Sequence, residues 1–73
     1  MGRKVKMDAT VHNNTLRYYR VMKAMSQEQL AKLSGVHKNS IVRYEQGIQM
    51  PSLESARRIC KALGVTMDDV FGE

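Results

Sequence analysis

Three glycines, Gly35, Gly47 and Gly64, each close a short segment whose apolar residues recur at helical spacing. Glycine often ends a helix because it adopts a positive φ without the steric cost of a side chain. Residues that cap the start of a helix precede two of these segments, at Ser26 and Pro51-Ser52, and a further segment, at Thr66. These signals predict an all-α fold of short helices joined by tight turns.

The sequence predicts five helices. They run from Asn13 or Asn14 to about Ala24, from Ser26 to Gly35, from about His37 to Gly47, from Pro51 to Gly64, and from Thr66 to Phe71. Their inner stripes are Leu16, Tyr19, Met22 and Met25, then Leu30, Ala31 and Leu33, then Ile41 and Tyr44, and then Leu53, Ala56, Ile59, Cys60 and Leu63. The spacing of these residues predicts one shared core. Met22, Met25 and Met67 are expected in the core or at a subunit contact.

The N-terminal segment has a different pattern. Between Val5 and Val11, apolar and polar residues alternate strictly, which is the period of a half-buried strand. The rest of the chain offers no strand to pair with it, and a lone strand is not stable. We therefore divide the chain into an N-terminal arm, residues 1–12, and a helical domain, residues 13–73. The arm either forms an intermolecular strand over 5–11 or is a loose segment.

Length and charge narrow the functional class. The chain has 73 residues, enough for one small domain, and a net charge of +5. Residues 1–25 carry a net +5, whereas residues 51–73 carry a net −1. This asymmetry favours a protein that presents one face to a polyanion, although ordinary surface lysines give similar totals. The single cysteine, Cys60, excludes an intrachain disulfide and favours a cytoplasmic protein.

No constellation in the chain indicates catalysis or metal binding. His12 and His37 are far apart and lack cysteine or acidic neighbours. Cys60 lies on an inner helical stripe and is expected to fill the core. Asp68 and Asp69 suit the first turn of the last helix, where the helix dipole favours acids. We expect no enzyme activity, metal, cofactor or small-molecule ligand.

The informative stretch is Gln27 to Gly47, two short helices separated by Ser34-Gly35-Val36. A turn this short makes the helices cross steeply, and Ala31 permits their close contact. Val36 and Ile41 supply apolar side chains beneath the turn. Such a rigid pair holds its second helix where it can enter a DNA major groove, which is about 12 Å wide.

At this point the chain resembles the lambda-repressor-like (Cro/cI, XRE-type) helix-turn-helix family. The matching elements are Ser26-Gln27-Glu28-Gln29-Leu30-Ala31, Ser34-Gly35-Val36, Ile41, Tyr44-Glu45-Gln46-Gly47, Pro51-Ser52-Leu53 and Ala62-Leu63-Gly64-Val65. The resemblance covers roughly Asn14 to Phe71. It implies a compact five-helix DNA-binding domain that regulates transcription.

The resemblance implies a role for each residue on the outer face of the second of these helices. Lys38, Asn39, Val42 and Arg43 would contact bases. Lysine and arginine donate to guanine, asparagine can pair with adenine, and valine can touch a thymine methyl group. For Lys38 and Arg43, phosphate contact or a solvated position is the alternative.

The resemblance also implies phosphate contacts and one structural ion pair. The phosphate set comprises Gln27, Arg17, His37, Ser40, Gln46 and Gly47, with backbone N–H groups near Gln46 and Gly47 free to face phosphate. Ser40 has packing near the neighbouring helix as its alternative. Arg20 and Glu45 would form an ion pair that fixes the second of these helices, the recognition helix that enters the DNA groove, and Gln27 would brace it.

Three positions depart from the family pattern. His37 stands where serine or threonine usually caps the recognition helix, and histidine is a poorer cap. A protonated His37 near phosphate would strengthen binding at low pH, but a neutral exposed His37 fits equally well. Ser34 replaces a larger apolar residue, so Leu33 is expected to share its packing. Ile48-Gln49-Met50 lacks the usual basic residue, which predicts a weaker phosphate contact there.

Together these features predict a sequence-specific DNA-binding transcriptional regulator, a Cro/cI-like repressor type that acts as a homodimer on a two-fold site. The candidate dimer surfaces are the last helix, with Val70 and Phe71, and the Val5–Val11 strand. The alternative function is an antitoxin-like or phage accessory module whose main target is a protein, which would expose an apolar patch.

Overall fold

A computed structural model describes the backbone of residues 9–72 and the side chains of residues 15–72. These residues form five helices: α1 (Ala9–Met22), α2 (Gln27–Ser34), α3 (Lys38–Gln46), α4 (Leu53–Leu63) and α5 (Met67–Phe71). No strand occurs between residues 9 and 72. The all-α prediction is confirmed.

Local hydrogen bonds fix where the helices begin. The Ser26 hydroxyl accepts from the Gln29 backbone N–H, and the Gln29 side chain accepts from the Ser26 N–H, which forms the predicted capping box. Thr66 and Asp69 form the same reciprocal pair before α5. The Ser52 hydroxyl accepts from the Ser55 N–H at the start of α4.

One apolar core joins all five helices. Helix α1 packs on α3 and α5, α2 on α3 and α4, and α4 on α5. The buried core consists of Leu16, Leu30, Val36, Ile41, Tyr44, Ala56, Ile59, Cys60, Leu63 and Val70. Nine of these ten residues lie in helices, so burial of the helical faces holds the short helices together.

The N-terminal prediction is wrong in its last part. Residues 9–11, predicted as the end of a strand, belong to α1, which begins at Ala9 instead of Asn13 or Asn14. A helix satisfies its backbone hydrogen bonds internally, whereas a strand here has no partner strand in residues 9–72. Residues 1–8, with the rest of the proposed strand, lie outside the described part of the chain.

Three residues of the predicted inner stripes are exposed instead. Met22, Leu33 and Leu53 have 64%, 65% and 67% of their surface accessible. Met22 ends α1 and Leu53 begins α4, so both lie where the helix leaves the core. Leu33 is rotated out of the inner face of α2, where Leu30 and Ser34 stand four residues apart.

Of the two residues proposed for a dimer surface on the last helix, Val70 lies in the core and Phe71 is half-buried. Val70 is 1% exposed and lies in the core of its own chain, and Phe71 packs against that core. The reason is that α5 closes the domain against α1 and α4. The assignment of Val70 to a subunit contact is therefore wrong.

Candidate nucleic-acid interface

Helices α2 and α3 form a tightly connected pair. Three residues, Gly35, Val36 and His37, separate them, and Gly35 adopts a left-handed conformation with φ of 74°. Ser34 is buried, and its hydroxyl accepts from the Val36 N–H at 3.1 Å. The small polar residue thus satisfies a backbone donor inside the turn, so Leu33 does not substitute for it.

His37 caps α3. Its Nδ1 accepts from the Asn39 backbone N–H at 3.1 Å, and α3 begins at the next residue, Lys38. The interaction requires an unprotonated Nδ1, since a protonated nitrogen cannot accept. The helix therefore starts where a serine or threonine cap would start it.

The two sides of α3 have opposite character. Ile41 and Tyr44 are buried in the core, whereas Lys38, Asn39 and Arg43 are exposed. Val42 and Ser40 are half-buried. Lys38, Asn39, Val42 and Arg43 follow the helical repeat, so they share one side of α3. The structure brings the four predicted base-contacting residues onto a single face.

A polar cluster anchors the C-terminal end of α3. The guanidinium of Arg20 on α1 donates from Nε to Glu45 Oε2 at 2.6 Å and from Nη2 to Glu45 Oε1 at 3.1 Å. Gln27 Nε2 on α2 donates to Glu45 Oε1 at 3.2 Å. One carboxylate therefore joins α3 to α1 and α2.

Arg20 also supports the turn before α2. Its Nη1 donates to the Met25 carbonyl at 2.9 Å, while the Met25 N–H donates to the Arg20 carbonyl. The side chains of Arg20 and Glu45 are 12% and 6% exposed. A charged pair this sheltered needs its additional hydrogen bonds, because burial removes the charges from water.

A second ion pair crosses from α2 to α3. Lys38 Nζ lies 3.0 Å from Glu28 Oε2, and both side chains are exposed. The hydrogen bond from Lys38 lowers the pKa of the Glu28 carboxyl below its usual value. Glu28 is not among the site residues predicted from the sequence. The sequence nevertheless contains a signal for this pair, since Glu28 and Lys38 lie near the starts of two helices that a short turn joins.

The expectation of free backbone donors at the end of α3 is wrong for Gly47. Its N–H donates to the Tyr44 carbonyl, and the Ile48 N–H donates to the Arg43 carbonyl. Gly47 has φ of 80°, so this helix end satisfies its own backbone groups. Gln46 lies within α3, and its exposed side chain is the group available there.

The remaining candidate positions lie outside α3. Arg17 is exposed on α1 and Gln27 is half-buried at the start of α2. Beyond Gly47, Ile48 and Met50 are exposed apolar residues.

No group of three His, Cys, Asp or Glu side chains within the described residues is placed to hold a metal ion. In the same part of the chain, no helix is long and apolar enough to cross a membrane.

A helix-turn-helix family model matches residues 16–70, which is most of the chain. The chain belongs to the lambda-repressor-like (Cro/cI, XRE-type) helix-turn-helix family. Proteins of this family are DNA-binding transcriptional regulators and not enzymes. The family assignment made from the sequence is confirmed.

Named relatives agree with this assignment. The chain is 43% identical over 58 residues to an uncharacterised HTH-type transcriptional regulator of Methanocaldococcus jannaschii, covering 80% of this chain and 88% of that protein. It is 33% identical over 61 residues to the cryptic phage CTXphi transcriptional repressor RstR of Vibrio cholerae, covering 84% and 55% of the two chains.

A solved structure has the same arrangement of helices. The restriction-modification controller protein C.AhdI of Aeromonas hydrophila matches with a TM-score of 0.82 and 31% identity, over 88% of this chain and 97% of that one. A hypothetical transcription factor from Neisseria matches with a TM-score of 0.80 and 25% identity, over 96% and 84% of the two chains.

Proposed function

We propose that this helix-turn-helix protein recognises a specific DNA sequence by inserting α3 into the major groove. The observation that carries the proposal is the face of α3 formed by Lys38, Asn39, Val42 and Arg43. The side chains of this face are exposed or half-buried, whereas those on the opposite side of the same helix are buried. A braced helix with a polar outer face suits a groove that is about 12 Å wide.

Each residue of this face has a chemical role in the proposal. Arg43 donates two hydrogen bonds to guanine, and Asn39 pairs with both edge groups of adenine. Val42 contacts a thymine methyl group. Lys38 donates to guanine or to phosphate, because an ammonium group is less directional than a guanidinium group.

Phosphate contacts set the position of the domain on DNA in this proposal. Gln27 donates one N–H to Glu45 and retains a second for phosphate. Arg17, His37, Ser40 and Gln46 complete the set of side chains. Gly47 approaches the DNA phosphate backbone without donating a hydrogen bond to it, since its N–H already donates to the Tyr44 carbonyl.

We further propose that two copies bind one two-fold operator in the cytoplasm. A single short helix reads only a few base pairs, so two half-sites about 34 Å apart provide the affinity. The candidate dimer surfaces are Phe71 on α5, which is half-buried, and the N-terminal segment. Its residues 1–8 lie outside the described part of the chain.

Selection of bound duplexes from a random DNA pool tests the function. The proposal predicts one enriched motif with two-fold symmetry. Affinity for that motif should exceed affinity for scrambled DNA by about a thousandfold or more and fall steeply as salt rises. A pool that yields no motif would refute sequence-specific recognition.

One observation favours a second candidate function. Ile48, Met50 and Leu53 expose 69%, 63% and 67% of their surfaces within six residues of chain. An accessory protein whose main target is another protein would use such an apolar surface. That function predicts a stable protein complex whose affinity changes little with salt, in contrast to DNA binding.

A further inference from the structure

Glu28 places a carboxylate beside the proposed DNA-binding face. Its partner, Lys38, is the first residue of α3, and the two charged groups are 3.0 Å apart. Three of the four other acids among the described residues have different neighbours. Glu45 binds Arg20 and Gln27, Glu54 binds Arg58, and Asp69 caps the start of α5.

The pair changes what Lys38 can offer to DNA. An ammonium group has three donors, and one is directed to Glu28. The other two can still meet acceptors on a base edge without moving the nitrogen. A phosphate contact, in contrast, brings a second negative group towards the Glu28 carboxylate, whose repulsion opposes it, whereas a base edge is neutral.

Binding to random DNA depends mainly on phosphate contacts and on the counterions that these contacts release. Base readout depends on the direction of a donor. An acid that holds the ammonium of Lys38 therefore weakens the first kind of binding more than the second. Since both side chains are exposed, the pair adds little to stability and its effect falls on binding.

We propose that Glu28 is a specificity-determining residue of this protein, which holds Lys38 for base readout and suppresses its contact with phosphate. The proposal rests on the proposed function, because it concerns the same DNA-binding face. Glu28 acts by positioning Lys38 and by opposing phosphate, and it needs no base contact of its own.

The chain supplies a matched control. Glu54 and Arg58 form an exposed ion pair on α4, with 2.9 Å between Arg58 Nε and Glu54 Oε2. Its exposure resembles that of the Glu28–Lys38 pair. Glu54→Gln therefore removes the same charge from the same kind of contact, but at a position outside the proposed interface.

The experiment measures affinity for random duplex DNA and for the selected operator over a range of salt concentrations. Glu28→Gln should strengthen binding to random DNA by about threefold to tenfold and steepen the salt slope by about 0.9, the value of one added phosphate contact. The ratio of operator to random affinity should fall by about threefold or more. Glu54→Gln should change each affinity and their ratio by less than about twofold and should leave the salt slope unchanged.

A second background isolates Lys38. In Lys38→Met no ammonium remains to be released, so Glu28→Gln should strengthen binding to random DNA by clearly less than it does in the parent chain. The proposal is overturned if Glu28→Gln behaves like Glu54→Gln in the parent chain, or if its effect is undiminished in Lys38→Met. Failure of the proposed function looks different, since the parent chain would then not distinguish the operator from random DNA.

Discussion

Arg20 holds both carboxylate oxygens of Glu45, through Nε at 2.6 Å and Nη2 at 3.1 Å, across 25 residues of chain. The same guanidinium bonds the Met25 carbonyl. This contact ties the end of α3 to α1 and to the turn before α2. Helix α3 is therefore fixed at its C-terminal end by charge and along its inner side by Ile41 and Tyr44.

Removing one charged partner of the Arg20–Glu45 pair should lower the free energy of unfolding, because the other charge then stays sheltered without its counter-charge. Arg20→Met leaves a sheltered carboxylate with only Gln27, and Glu45→Met leaves a sheltered guanidinium with one carbonyl. We expect each single change to lower the free energy of unfolding by about 2 to 4 kcal/mol. Urea denaturation of both variants measures these losses.

The double variant Arg20→Met/Glu45→Met should lose at least about 1 kcal/mol less than the two single losses together, because neither charge is then left alone. Equal values for the double loss and the summed single losses would show that the contact contributes no coupling.

Ala24 carries backbone strain that glycine would relieve. It has φ of 56°, the one positive value among the described residues other than glycine. An alanine in this conformation costs about 1 to 2 kcal/mol, and the greater freedom of an unfolded glycine offsets part of that. Ala24→Gly should therefore raise the free energy of unfolding by about 0.5 to 1 kcal/mol.

The reverse change provides a control for this strain. A Cβ added at Gly64, whose φ is 72°, would meet no atom within 4 Å. Gly64→Ala should thus lose about 1 kcal/mol from strain alone. Thermal or urea unfolding that shows Ala24→Gly to be destabilising would contradict the account of this turn.

Burial raises the pKa of the Cys60 thiol, and the negative charge of Asp69 raises it further. A raised pKa in the folded state contributes stability below the unfolded pKa, and this contribution is lost as pH rises through the folded value. We expect the parent chain to lose more stability than Cys60→Ala as the pH rises above the usual thiol pKa of about 8.5.

Denaturation of both chains at several pH values measures this difference. Lysine and tyrosine titrations affect both chains and cancel in the comparison. A difference in the free energy of unfolding between the parent chain and Cys60→Ala that stays constant as the pH rises would contradict a raised thiol pKa.

Local signals made most of the fold predictable. Gly35, Gly47 and Gly64 end helices as predicted, and Ser26 and Thr66 begin them, because these effects act within a few residues. Exposure at helix ends was less predictable. Leu53 follows the helical period but lies before the point where α4 meets the core.

The candidate site was predictable in its residues and less so in its contacts. Helical periodicity and family resemblance together gave the outer face of α3. They did not give the Glu28–Lys38 pair, which depends on how two helices cross. Nor did they give the internal use of the Gly47 N–H, which depends on the geometry of the helix end.

The most direct test of base readout by α3 compares three variants on the selected operator and on scrambled DNA. Arg57 is an exposed arginine on α4, so Arg57→Ala is the matched control for Arg43→Ala. Asn39→Ala and Arg43→Ala should each weaken operator binding by about 1 to 3 kcal/mol and relax preference at one base position. Arg57→Ala should leave the base preference unchanged. Operator affinity and base preference that survive both Asn39→Ala and Arg43→Ala would contradict the proposed reading of DNA by this helix.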